Sequence, residues 1–154
     1  LIAVCWRYAS SKEEAVEFMN LGFVKIVTNL DKKRGEVPFE LWARRITINV
    51  IIDEYRKQKN YRSHYQLHEQ PEKLGAKETE AQEDKEFELV DLIKSKIPQL
   101  PPMTAKVFNL YAIDGFKHQE IANMLQISEG TSMWHYSEAK RRIRELLRTE
   151  KLEY

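Results

Sequence analysis

Residues 100–147, LPPMTAKVFNLYAIDGFKHQEIANMLQISEGTSMWHYSEAKRRIRELL, decide how this chain folds. Pro101 and Pro102 open an apolar-periodic run through Met103, Val107, Phe108 and Tyr111, as proline does in a first helical turn, where its missing N–H costs nothing. Gly115 stops that run. A second, shorter helix over 118–125 turns Ile121, Ala122 and Leu125 to one side. Gln126, Ile127 and Ser128 then make a tight turn, and Ser128 is placed to N-cap a long third helix. Helical residues advance by about 100°, so Ser132, Tyr136, Ala139, Ile143, Leu146 and Leu147 share an inward face. Trp134, Ser137, Glu138, Arg141 and Arg144 project the other way. A short helix, a sharp turn and a longer helix with a polar and basic outer face is the geometry that enters a DNA major groove. The alternative on outline alone is three packed helices with no role in DNA binding.

At 154 residues the chain admits one domain or two small ones. It is 42% hydrophobic and 32% charged, with only five glycines, and 3.6-residue periodicity dominates over alternation. The expected fold class is all-α: two small helical domains joined by a flexible linker, the C-terminal one a helix-turn-helix. The net charge of +1 hides an uneven spread. Residues 1–68 hold 12 basic against 8 acidic residues (+4), residues 69–91 hold 3 against 9 (−6), and residues 92–154 hold 10 against 7 (+3). Two basic blocks around an acidic one indicate two polyanion-facing modules joined by a solvated segment. Cys5 is the only cysteine, which excludes an internal disulfide and points to a reducing, cytoplasmic setting. No apolar run approaches the ~20 residues of a membrane span, so no membrane insertion is expected. No signal peptide is visible. The chain opens on Leu1 in mid-helix pattern rather than on Met, which leaves room for residues upstream.

Residues 1–9 read as the end of a helix. Ser11 and Glu14 form an S-x-x-E capping box that opens a helix to about residue 29. Its apolar face is Ala15, Phe18, Met19, Gly22, Phe23 and Ile26, and the opposite face carries Glu13, Glu17, Asn20 and Lys25. A turn-rich loop over 31–37 holds Lys32, Lys33, Arg34 and Gly35. Pro38 opens the next helix, which runs to about residue 60. There Phe39, Trp42, Ala43, Ile46 and Val50 make one apolar stripe, assigned to the core. Leu41, Ile48, Ile52 and Tyr55 make a second on nearly the opposite side. Between them lies a polar seam of Arg45, Asn49 and Arg56, flanked by Ile52 and Lys59. A helix apolar on two sides is either sandwiched in a bundle or presents one side to a partner. The basic seam beside aliphatic and aromatic groups favours a single-strand nucleic-acid surface, where bases stack and cations follow the backbone. From Tyr61 to about Glu83 periodicity fails and acidic residues accumulate, as in a linker. A helix resumes with Phe87, Val90, Ile93 and Ile97 and ends at Pro98.

His64 and His68 have spacing that puts two ligands on one helical face, but no third and fourth ligand accompany them, and no metal or other cofactor is expected. Asp53 is placed on the core side of its helix, and Trp42 in the core rather than on a stacking surface. No phosphate-cradling glycine loop, nucleophile elbow or catalytic Cys/His pair occurs, so an enzyme is not expected.

Two such modules in this order resemble the extracytoplasmic-function sigma factors, minimal two-domain bacterial transcription initiation factors. The likeness rests on EEAVEFMNLGFVKIV (13–27) and PFELWARRITINVIIDEYRK (38–57) in the first module, with Trp42, Asn49, Asp53 and Arg56 at the positions of the family pattern. In the second it rests on residues 100–147, where Glu120, Ile121 and Ala122 match the supporting helix, and Ser128, Gly130 and Thr131 match the S-x-G-T turn. The resemblance implies sigma region 2 over 1–60, without its N-terminal helix, a linker over 61–83, and region 4 over 84–154. Glu17, Asn20 and Lys25 would then dock on the polymerase clamp. Lys33, Arg34, Arg45, Asn49, Ile52, Arg56 and Lys59 would hold the melted −10 strand, with a flipped base in the 31–37 loop. Ser128, Gly130, Thr131, Met133, Trp134, Ser137, Glu138, Arg141 and Arg142 would read the duplex −35 element. The implied partners are RNA polymerase core, promoter DNA and a cognate anti-sigma factor.

Several positions depart from the family pattern. Asn20 and Leu21 replace acidic and glutamine residues of the clamp helix. Lys117 stands where serine usually caps the supporting helix, and Gln126 where the turn has glycine. Met133, Trp134 and Glu138 replace basic residues of the recognition helix. Glu138 has two readings: acceptance of a hydrogen bond from cytosine N4, or an ion pair with Arg141 or Arg142. Two other functions also fit the outline. One is a stand-alone helix-turn-helix regulator with an N-terminal dimerisation or sensing domain, and the other is an interaction module that has lost DNA binding.

Overall fold

The structure, a computed structural model, describes residues 1–33, 35–64 and 85–151, with side chains at 1–33, 35–59 and 89–149. Arg34, His68 and most of the expected linker lie outside the described residues. Seven α-helices and short helical turns make up the regular structure among the described residues. The chain divides into two units between residues 74 and 75.

In the first unit α1 (Ile2–Tyr8), α2 (Lys12–Thr28) and α3 (Phe39–His64) pack on one another. Ser11 caps α2 as its sequence requires: its side chain accepts the Glu14 N–H at 3.1 Å, while the Glu14 carboxylate takes the N–H of Ser10. Pro38 precedes α3 and its carbonyl accepts the Trp42 N–H at 3.1 Å. The helix runs on to His64, four residues past its expected end.

The buried face of α3 differs from both expected stripes. It is centred between them, on Ala43, Thr47, Ile48, Ile51 and Ile52. Of the stripe assigned to the core only Ala43 is buried; Phe39 is exposed, and Trp42, Ile46 and Val50 are half-buried. From the second stripe Ile48 and Ile52 are buried, while Leu41 is exposed. Thr47 can occupy the centre because its hydroxyl donates to the Ala43 carbonyl at 2.9 Å, leaving no orphaned polar atom. Opposite it lies Gly22, where a Cβ would sit 3.0 Å from Thr47 Oγ1. The missing side chain lets α2 and α3 approach. Gly22→Leu is therefore expected to destabilise this unit by about 1–3 kcal/mol through overpacking, read as a lower urea midpoint.

The second unit holds α4 (Lys85–Lys96), α5 (Pro102–Phe108), α6 (His118–Leu125) and α7 (Glu129–Lys151). A 3-10 turn over Ile97–Gln99 carries Pro98 and ends α4 in tight form. Ile97, Leu100 and Phe108 pack with Ala139 and Ile143 of α7, and Ile93 and Tyr136 close the cluster. After α5 the chain widens into one π turn, Asn109–Ile113, in which the Asp114 N–H reaches the Asn109 carbonyl at 2.9 Å. Gly115 then takes φ +75°, a left-handed value that suits glycine and ends the run where expected.

Candidate nucleic-acid interface

The turn between α6 and α7 forms as its residues dictate. Gln126 adopts the left-handed conformation (φ 55°, ψ 48°) in place of a glycine, and the Ile127 N–H closes the turn on the Ala122 carbonyl at 3.1 Å. Ser128 Oγ accepts the Thr131 N–H at 3.0 Å and lies 2.8 Å from the Thr131 hydroxyl. At the start of α6, lysine has no acceptor to offer, so the cap comes from Glu120, whose carboxylate takes the Lys117 N–H at 2.9 Å. Two side-chain bonds seat α7 on its supports: His118 Nδ1 with Ser132 Oγ at 2.9 Å, and Thr104 Oγ1 with His135 Nδ1 at 3.0 Å. His118 also stacks on Tyr111, with ring centres 4.1 Å apart. Burial pushes the His135 imidazole pKa down.

The inward face of α7 is the expected one, with Ser132, Ala139 and Ile143 buried and Tyr136, Leu146 and Leu147 half-buried. Gly130, Met133, Trp134, Ser137 and Arg141 are exposed. Glu138 is held between two arginines. Arg141 donates Nε at 2.9 Å and Nη2 at 2.6 Å, Arg142 donates Nε at 2.6 Å, and the Glu138 side chain keeps only 14% of its exposure. Arg141 Nη1 reaches Glu145 at 2.6 Å. Both Glu138 oxygens already accept from arginine, so the geometry supports the ion-pair reading over the cytosine one. Hydrogen bonds from Arg141 and Arg142 hold its pKa down from the ordinary 4.5 to about 2. The folded pKa lies below the unfolded one, so the clamp's contribution is present above pH 4.5 and is lost as pH falls toward 2. The Tm difference between the parent and Glu138→Gln should therefore shrink between about pH 6 and pH 2.5, and also at about 1 M salt, where the Debye length is only about 3 Å.

In the first unit a surface groove runs between α2 and α3. Lys25, Asn29 and Lys32 line one wall, and Trp42, Ile46, Asn49, Val50 and Asp53 line the other. Lys32 Nζ donates to Asn29 Oδ1 at 3.0 Å, and Asn29 Nδ2 donates to the Lys25 carbonyl at 2.8 Å. The Phe39 ring centre lies 5.9 Å from that of Trp42. Arg45, Asn49 and Lys59 are exposed, and Arg56 is half-buried with Nη1 3.4 Å from Asp53 Oδ1.

Four expectations need correction here. Ile52 is 1% exposed and packs in the core, so it cannot touch a strand. Asp53 lies on the outer face, not the core side. Trp42 lines the groove rather than filling the core. Lys25, expected beside Glu17 and Asn20, sits instead on the groove wall. Lys32, from the expected 31–37 loop, lines the groove as well, while Asn29, Ile46 and Val50 belong to it and were missed; a correct core face for α3 would have found the last two.

A separate surface flanks Asn20. Val16, Phe23, Val24, Val27 and Leu30 are all exposed, Phe23 at 61%. Phe23 was expected in the core, but it points away from Ala15, Phe18, Gly22 and Ile26, which form it. Among the described residues no group of three or more His, Cys, Asp or Glu could hold a metal ion. No helix among them is long and apolar enough to cross a membrane.

Residues 1–61 match sigma-70 region 2, and residues 91–143 match sigma-70 region 4. The chain belongs to the sigma-70 family. Region 2 then holds α1–α3 with the groove, and region 4 holds the helix-turn-helix of α6 and α7. Only residues 62–90 lie between the two matches, the layout of the extracytoplasmic-function sigma factors. The fold agrees with the sigma factor RpoE from Bartonella quintana, solved in complex with the anti-sigma factor NepR. The TM-score is 0.63 at 17% identity, over 96% of this chain and 89% of that one. No curated protein matches. This sigma factor directs transcription initiation, and its regions bind polymerase core and promoter DNA. Sigma factors regulate transcription without being enzymes.

Proposed function

We propose that the sigma factor divides promoter recognition between three surfaces. The groove and its rim, with Asn49, Arg45, Arg56, Lys59 and the 31–37 loop, hold the melted −10 strand. The outer face of α7 lies in the duplex −35 groove. The apolar strip of α2 around Asn20 docks on polymerase core. The observation that carries this reading is that the groove sets the cations Lys25 and Lys32 on one wall against the aromatic and aliphatic surface of Trp42, Ile46 and Val50 on the other, as a single strand's phosphates and bases need. The helix-turn-helix supports the second assignment, since its capped turn leaves one face of α7 open to solvent.

The boundaries that suit these roles are residues 1–60 for region 2, 61–83 for a linker and 84–154 for region 4. The protein works in the cytoplasm, where polymerase is, and has no catalytic function of its own. An anti-sigma factor restrains it, as the NepR complex of the RpoE sigma factor illustrates for that protein. The test is transcript mapping with purified chain, polymerase core and a randomised promoter library. Starts at defined sites that share −10 and −35 elements are expected only when all three are present. Tight, sequence-specific operator binding by the chain alone would instead identify a stand-alone regulator, because each DNA surface here is too small for tight binding by itself.

A further inference from the structure

The inference rests on the reading that α7 lies in the −35 major groove, and concerns what it reads there. Opposite the buried face of α7, Gly130, Trp134, Ser137 and Arg141 form one row at i, i+4, i+7 and i+11. Gly130 brings no side chain, and a Cβ there would meet only Ser128 Oγ at 3.8 Å, so the surface around it is open. Ser137 is short. The Arg141 guanidinium is drawn along the helix between Glu138 and Glu145 by bonds of 2.6 to 2.9 Å. Trp134 is the large side chain left in the row. It is 59% exposed, with its ring edge-on to His135 at 4.9 Å, and Met133 beside it is exposed as well.

Helical side chains lean toward the N-terminus, so Trp134 extends over the turn of Gly130. That is the end of a recognition helix that meets base edges. Guanine is read there by a bidentate Arg or Lys and adenine by Asn or Gln, and the first two turns of the row supply neither. An exposed indole calls for apolar contact, and the major groove offers one apolar group, the C5-methyl of thymine. We propose that Trp134 is the specificity-determining residue of region 4 and that it reads thymine methyl groups in the −35 element. Glu138 assists by keeping Arg141 and Arg142 engaged with itself, which withdraws them from guanine.

The test uses holoenzyme made from polymerase core and the full chain. It is selected on a promoter library randomised across the −35 element, and the selected sites are then prepared with either thymine or uracil. Uracil pairs as thymine does and lacks only the methyl. The parent should select a fixed thymine step and bind the uracil copy about three- to fivefold more weakly per methyl lost, the scale of one buried methyl group. Trp134→Ala should lose both the preference and the sensitivity to uracil, and Trp134→Leu, which keeps apolar bulk, should retain part of each. Equal parent affinity for the two copies, a selected element without thymine, or methyl sensitivity that survives in Trp134→Ala would each overturn the proposal. Defined transcript starts with no −35 preference at all would overturn the region 4 reading beneath it, and the proposal with it.

Discussion

Phe23→Asp is expected to weaken binding to polymerase core by at least about tenfold while leaving the stability of region 2 nearly unchanged. The Phe23 ring is 61% exposed and lies off the buried face of α2, which is Ala15, Phe18, Gly22 and Ile26, so its loss removes little packing from the fold. Docked on a partner, a buried phenylalanine contributes about 1.5–3 kcal/mol, a ten- to hundredfold effect, and an aspartate in its place adds the cost of burying an unpaired charge. Val27→Asp, one turn further along the same strip, should act in the same direction. Phe18→Ala provides the contrast: Phe18 is fully buried, and its truncation should cost about 3–5 kcal/mol of stability. Core affinity by calorimetry, beside thermal melts of each variant, checks all three. Parent-like affinity for Phe23→Asp would take polymerase docking away from this face.

The double variant Arg45→Ala/Arg56→Ala should impair promoter opening far more than initial duplex capture. Arg45 is exposed beside the groove, and Arg56 is tied to Asp53 only by a 3.4 Å contact between partly exposed groups, too weak to keep it from a phosphate. A charged hydrogen bond to phosphate is worth about 1.5–3 kcal/mol, so losing two should lower the equilibrium constant for opening by about a hundredfold or more. Capture of the closed duplex, which rests on region 4, should change by less than about twofold. Permanganate reactivity of unpaired thymines measures the first quantity and gel retardation the second. Equal loss of both would remove the −10 strand from the α3 groove.

The local chemistry of the helix caps and of the helix-turn-helix was legible residue by residue. The Ser11 and Ser128 caps, the bounds of α6, the stop at Gly115 and the inward face of α7 all follow from side chains that act on their own backbone or repeat at one clear period. The groove was not legible, for a physical reason. Between Leu41 and Ile52, α3 carries apolar side chains all round its circumference, so periodicity alone cannot choose which side is buried. The residue at the centre of the true core face is Thr47, whose polarity hides that face until its bond to Ala43 is seen. With the core rotated, Ile52 left the proposed surface, and Asp53 and Trp42 joined it. The same ambiguity applied to α2, where Phe23 and Phe18 read alike until α3 was seen to pack on Gly22. The π turn at Asn109–Ile113 had no sequence signal of its own. Glu138 was legible as two alternatives, and only the positions of both arginines separated them.

In the proposed function one chain reads two promoter elements with two separate surfaces, a single strand in the α3 groove and a duplex on α7. Photocrosslinking tests it most directly, with a photoreactive residue at position 49 or at position 137 in promoter complexes formed with polymerase core. Position 49 should crosslink to non-template nucleotides of the −10 element only after the DNA opens, and position 137 to the −35 duplex before and after opening. Crosslinks from both positions to the same element, or from position 49 to closed duplex alone, would contradict the account.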